Sequence, residues 1–165
     1  MRTTTIALAI LLMVSPACQA QNTATRADMA DPVVFVCEHG SVKSLIAASL
    51  FDRAAEKRGL PFRAVSRGVS PDDAVPARIA AALREDGFEI DGFRPQGLAT
   101  TDVARATRVV AIGVDLTVHA DVARVSIQSW DDVPAASVDY AAARATLQRH
   151  IDDLLDDLQE VERAP

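Results

Sequence analysis

Residues 33–44, VVFVCEHGSVKS, set a cysteine, a lysine and a serine at a spacing suited to attack on a tetrahedral oxyanion. The β-branched run predicts a strand leading straight into Cys37, and Gly40 suits a tight turn with positive φ ahead of a helix. A loop that leaves a strand and opens a helix aims several backbone N–H groups at one point, where the helix N-terminus adds about half a positive charge. The same surroundings favour the thiolate of Cys37, through the helix dipole, the Lys43 ammonium and a hydrogen bond from the Ser44 hydroxyl. Cys37 is therefore a candidate nucleophile, with Lys43 and Ser44 beside it. Glu38, His39, Gly40, Ser41 and Val42 form a candidate phosphate-binding loop. A carboxylate directed into such a loop would repel phosphate, so Glu38 is expected to face outward. The rival assignments are a buried small hydrophobe for Cys37, an exposed loop histidine for His39 and an ordinary first-turn residue for Lys43.

The elements that must hold this loop follow from periodicity and stop signals. Strands are expected at Val33–Val36, Phe62–Ser66 and Val109–Val114, with a shorter fourth around Val125 and Ile127. A helix from about Ser44 to Arg58 ends at Gly59, and another follows Asp72 and Asp73 to Glu85, with Pro76 in its first turn and Gly87 as its stop. Thr101 can cap a short helix over Asp102–Ala106. The last helix carries an apolar stripe through Tyr140, Leu147, Ile151, Leu154, Leu155 and Leu158. Strands alternating with helices predict an α/β fold, a three-layer, doubly wound sheet of four parallel strands with ligands held beyond the C-terminal strand ends, where Cys37 lies.

With its cysteine loop, the chain resembles the low-molecular-weight protein tyrosine phosphatases and the arsenate reductases of the same fold, which open with a hydrophobic strand and C-x5-R-S. Lys43 stands where that family has arginine. Ser66-Arg67-Gly68 resembles the family's Ser-Ala-Gly turn, Arg108 to Asp115 its third strand and acidic end, and Trp130 to Pro134 the segment bearing its general acid. The resemblance covers most of residues 32–158. It implies a flavodoxin-like topology and hydrolysis of phosphotyrosine or small phosphate monoesters through a phosphocysteine. In that chemistry the loop amides and Lys43 hold the phosphoryl oxygens, and Asp132 or Asp131 moves the proton. Asp132 is preferred, although neither aspartate directly precedes Pro134 and a different pairing of prolines puts Ala135 at the acid position. Lysine offers a point charge where arginine offers a planar fork, and losing one charge-assisted hydrogen bond of about 1.5–3 kcal/mol in the transition state slows turnover roughly 10- to 150-fold. The alternatives are a non-catalytic phosphate- or arsenate-binding module, an arsenate reductase-like protein, and a phosphocysteine carrier.

Length and composition bound these readings. At 165 residues the chain is one domain's worth. Arg2, the apolar run Ile6–Val14 and the small residues Ala17–Ala20 form an export pattern, too short to span a bilayer. Residues 1–20 are read as a signal peptide, 21–31 as a disordered linker and 32–160 as the phosphatase-like domain, in a periplasmic or secreted protein without an integral membrane segment after processing. Pro16 fits lipidation of Cys18 poorly, so cleavage after Ala20 is preferred. Processing would leave Cys37 as the sole cysteine, which weakens a thioredoxin-coupled reductase role that relays oxidation through further thiols. A net charge of −6 with 4% aromatic residues and no basic run argues against nucleic acid. The partner expected is a phosphate ester or phosphoprotein substrate; neither a cofactor nor a metal is expected, because no ligand cluster with metal spacing occurs. The acidic tail reads as the solvated face of an amphipathic helix, and His119 and His150 as surface residues.

Overall fold

The computed structural model describes residues 31–117 and 127–163. The expected signal peptide and linker, Cys18, His119 and Val125 lie outside the described residues, save Asp31 at the linker's end. Among those described, four strands pair entirely in parallel in the order β2-β1-β3-β4. They are β1 (Val33–Cys37), β2 (Ala64–Gly68), β3 (Arg108–Ala111) and β4 (Ile127–Ser129). Helices α1 (Lys43–Arg58), α2 (Ala77–Glu85), α3 (Thr100–Ala104) and α4 (Tyr140–Arg163) complete the order.

Burial of β1 on both faces explains its unbroken apolar run, as expected for a central parallel strand. Successive side chains alternate between two cores. Phe35 and Cys37 share the larger one with Leu45, Phe51, Leu147 and Leu155 from α1 and α4, while Val34 and Val36 meet Val103 and Leu116 on the other side. The α4 stripe is buried from Leu147 to Leu158. Phe35 stands between two aromatic rings, 5.7 Å from Phe51 and 5.5 Å from Trp130. Trp130 is 1% exposed, which makes it a core residue that anchors the end of β4.

Element boundaries shift from expectation for local reasons. β2 begins and ends two residues later than predicted because the ladder pairs Val33 with Ala64 and Cys37 with Gly68, and Asp52 of α1 accepts the Ala64 N–H at 2.7 Å. Burial pushes the Asp52 carboxyl up, against the Ala64 hydrogen bond. The helix α3 starts at Thr100, ahead of the expected Asp102, since Asp102 turns back to accept the Ala99 N–H at 3.0 Å. β3 stops at Ala111: Gly113 takes φ +61 and the chain turns off the sheet there. Gly59 ends α1 in the left-handed conformation, and its N–H returns to the helix carbonyls.

Candidate active site

The four parallel strands end along one edge, and every strand end contributes to a cavity of about 370 Å3. Cys37, Glu38, His39, Val42 and Lys43 come from the β1–α1 loop, Asp72 and Pro76 from the segment after β2, Ile112 and Gly113 from the end of β3, and Ala135, Ala136 and Ser137 from the segment after β4. β1 lies between β2 and β3, so the crevice opens where the chain reverses direction across the sheet.

The loop is shaped by backbone contacts with the segment after β2. Carbonyls of Cys37, Glu38 and His39 accept the N–H groups of Val69, Ser70 and Asp72 at 3.1, 2.8 and 3.0 Å. A planar trans peptide points its N–H opposite to its carbonyl, so the amides of Glu38 and His39 face away from that segment. Gly40 adopts φ +66 and packs so closely that a Cβ would lie 2.8 Å from the Gly68 nitrogen. Glycine is required there for conformation and for space alike. The Gly68 side of this contact is fixed by Gln96 and Leu98, which exchange backbone hydrogen bonds with it. Arg67 grips both oxygens of Asp102, at 2.7 and 2.9 Å. Burial alone would push the Asp102 carboxyl up, but the Arg67 hydrogen bonds and charge and the Ala99 N–H bring it below the ordinary carboxylate value.

Cys37 is 5% exposed, and its Sγ lies 3.0 Å from Ser44 Oγ. Ser44 is buried at the start of α1. Ser66 Oγ stands 2.8 Å from Ser44 Oγ and 3.0 Å from the Gly40 carbonyl. The Gly40 carbonyl can only accept, so it competes with Ser44 for the single Ser66 proton, and Ser44 Oγ stands between Ser66 and the sulfur. From the sequence, Ser66 is expected at the end of a strand and in the turn Ser66-Arg67-Gly68, without this contact; the alternation of β2 side chains is the signal that turns it toward the loop.

Lys43 opens α1 and its Nζ donates to the Val133 carbonyl at 2.9 Å. The ammonium thus lines the cavity and also ties the loop after β4 to the cysteine loop. Gly113 makes room for it, since a Cβ at that position would sit 3.1 Å from Nζ. His39 and Asp72 face each other with Nδ1 and Oδ1 3.5 Å apart, and the Ser41 hydroxyl donates to the other oxygen of Asp72. Glu38 is exposed and also contributes to the cavity wall.

The two aspartates expected to move protons are placed elsewhere. Asp132 Oδ1 lies 2.7 Å from His150 Nε2, whose ring stacks on Trp130 with centroids 4.8 Å apart. The His150 hydrogen bond, followed by its charge, holds the Asp132 carboxyl below the usual range, the wrong direction for a proton donor. Asp131 lines a separate surface recess with Asp115 and Ser129. Neither Asp132, preferred from the sequence, nor Asp131 is among the residues lining the cavity that contains Cys37, where Ala135, Ala136 and Ser137 represent the segment after β4. His150 is a packing partner, where a plain surface residue was expected. Tyr140 also lies outside the cavity wall, its hydroxyl donating to Asp86 at 2.7 Å. Burial, then the neighbouring Asp86 carboxylate, raise its pKa strongly. The sequence places Asp72 ahead of a helix, and its place in the cavity of Cys37 comes from the β1–β2 pairing, for which a single sequence carries no local mark.

Comparison with known proteins agrees with this architecture. The low molecular weight phosphotyrosine protein phosphatase family matches residues 32–161. A Halobacterium salinarum protein bearing the name "Putative arsenate reductase" is 23% identical over 136 residues, covering 79% of this chain and 95% of that one. Among solved structures, a low molecular weight protein tyrosine phosphatase from T. tengcongensis superposes with a TM-score of 0.68 at 22% identity, covering 78% of this chain and 99% of the other. An arginine phosphatase from Geobacillus stearothermophilus gives a TM-score of 0.66 at 23% identity, with coverages of 81% and 97%.

Proposed function

The chain belongs to the low molecular weight phosphotyrosine protein phosphatase family, and from that premise we propose that it is an exported, cysteine-dependent hydrolase of phosphotyrosine or small phosphate monoesters. The observation that carries this reading is the Cys37 thiol, 3.0 Å from the Ser44 hydroxyl, at the wall of a cavity that also holds Lys43. Cys37 attacks phosphorus as a thiolate. The Lys43 ammonium and the loop amides balance the charge on the phosphoryl oxygens, and Ser44 supports the sulfur both before attack and when it departs from the phosphocysteine.

Lys43 stands at the family's arginine position in the resemblance, and it divides its donors between Val133 and the cavity. That division, together with a loop after β4 that presents Ala135, Ala136 and Ser137 to the thiol, favours a second reading, an oxyanion-binding module without turnover. Turnover of p-nitrophenyl phosphate by the wild type, lost in Cys37→Ala, supports the first. Protection of Cys37 from alkylation by phosphate, with no turnover, supports the second. An internal-disulfide arsenate reductase is disfavoured because Cys18 is the only other cysteine in the sequence and precedes the proposed processing site.

Export rests on Arg2, Ile6–Val14 and Ala17–Ala20. The mature protein is expected to begin near Gln21 in a periplasmic or secreted fraction, and N-terminal sequencing that finds Met1 retained in the cytosol contradicts this.

A further inference from the structure

A phosphatase cavity needs a group that protonates the departing oxygen and later deprotonates water, and the aspartates beside Trp130 do not reach this one. Five ionisable side chains belong to its wall: Cys37, Glu38, His39, Lys43 and Asp72. Cys37 is the nucleophile, and Lys43 is engaged as a cation with Val133. Asp72 accepts the Ser41 hydroxyl through one oxygen and faces the His39 ring with the other, so both of its oxygens are already engaged. The Glu38 carbonyl accepts the Ser70 N–H, but no side chain or amide among the described residues orients its carboxylate. Histidine is the side chain that ordinarily gives and takes a proton near neutral pH.

We propose that His39, oriented by Asp72, is the general acid and base of this active site. The inference rests on the phosphatase reading and names the one step which that reading leaves without a residue. The His39 side chain is 57% exposed and lines the cavity, so its ring is open to a bound substrate. Its Nδ1 lies 3.5 Å from Asp72 Oδ1, longer than a full hydrogen bond and of the kind that tightens once a substrate is bound. A proton on Nδ1 directed at Asp72 leaves Nε2 to exchange with substrate. In the first step the sulfur lone pair forms the S–P bond, the P–O bond to the leaving group breaks, and imidazolium Nε2 gives its proton to the departing oxygen. In the second, water adds its oxygen to phosphorus and its proton to neutral Nε2, the S–P bond breaks, and the thiolate and imidazolium return. Glu38, Asp72, Lys43 and Cys37 are the other charged or titratable residues that line the cavity with His39.

Dependence on the leaving group tests this. Phenolate leaves poorly and needs the proton, whereas p-nitrophenolate leaves well without it. His39→Ala is expected to lower kcat/KM for phenyl phosphate by about 10^2- to 10^4-fold and for p-nitrophenyl phosphate far less, with free imidazole restoring much of the lost rate. The pH–rate limb that reports loss of the acid disappears with the side chain. Asp72→Asn is expected to shift that limb and to lower kcat more than it raises KM. Phosphate protection of Cys37 in both variants shows that the loop is intact, and His39→Asn replaces His39→Ala should that variant lose it. An unchanged ratio between the two substrates in His39→Ala, or a larger leaving-group effect in Glu38→Gln, overturns the assignment. An active wild type with an unchanged ratio contradicts only His39, whereas a wild type inactive on p-nitrophenyl phosphate contradicts the phosphatase reading itself.

Discussion

Lys43 and Asp132 show how differently two residues chosen for chemistry fare once their neighbours are known. The lysine is where its type and spacing put it, at the start of α1 and in the cavity wall, but its bond to Val133 gives it a mechanical task as well. Lys43→Ala is therefore expected to weaken phosphate binding by about 10- to 150-fold, the loss of one charge-assisted hydrogen bond, and also to free the segment after β4. Calorimetric titration with phosphate reads the first effect, and hydrogen exchange at residues 130–137 the second. Asp132 looked like an acid because of its place in SWDDVPAAS, and no local signal could reveal that His150, 18 residues further on, takes its carboxylate. A carboxyl whose folded pKa lies below its unfolded one stabilises the protein above the unfolded value, and that contribution is lost as pH falls through the folded one. The melting-temperature gap between wild type and Asp132→Asn should thus be present at neutral pH and close below the carboxylate range, by a small amount because the pair is exposed. A gap that widens in acid contradicts the assignment.

At the scale of elements, the β1–loop–α1 unit was legible because everything it needs is contiguous: the β-branched run, Gly40 for positive φ, and a helix ending at Gly59. The segment after β2 was not, since its register is set by pairing with β1 and by Asp52. That register is what brings Asp72 to His39 and Gly68 against Gly40. Gly40→Ala meets two penalties together, left-handed backbone and a Cβ 2.8 Å from the Gly68 nitrogen. It is expected to destabilise the fold by about 1–3 kcal/mol or more and to abolish phosphate protection of Cys37. Gly59→Ala has the same backbone sign but open space around it, so it should cost only stability. Chemical denaturation and alkylation kinetics on both variants separate the loop's geometry from a helix stop.

For the whole molecule, a fully parallel sheet gathers all four strand ends along one edge, and each supplies part of one cavity wall. Alternating strand and helix signals sufficed to foresee that architecture, because periodicity and stop residues are local and β1 is buried on both faces. What the sequence hid was which side chain of each strand-end loop faces the thiol, a matter of tertiary placement such as the burial of Trp130. The central claim is that this cavity exists to form a phosphocysteine at its wall. Rapid-quench of the full chain with p-nitrophenyl phosphate, followed by mass spectrometry of the peptide containing Cys37, tests it most directly. A phosphoryl group is expected on Cys37, accumulating with a burst of p-nitrophenolate and absent from Cys37→Ala. An unmodified Cys37 with no burst, in protein whose thiol is still shielded by phosphate, would contradict it and leave an oxyanion-binding module in its place.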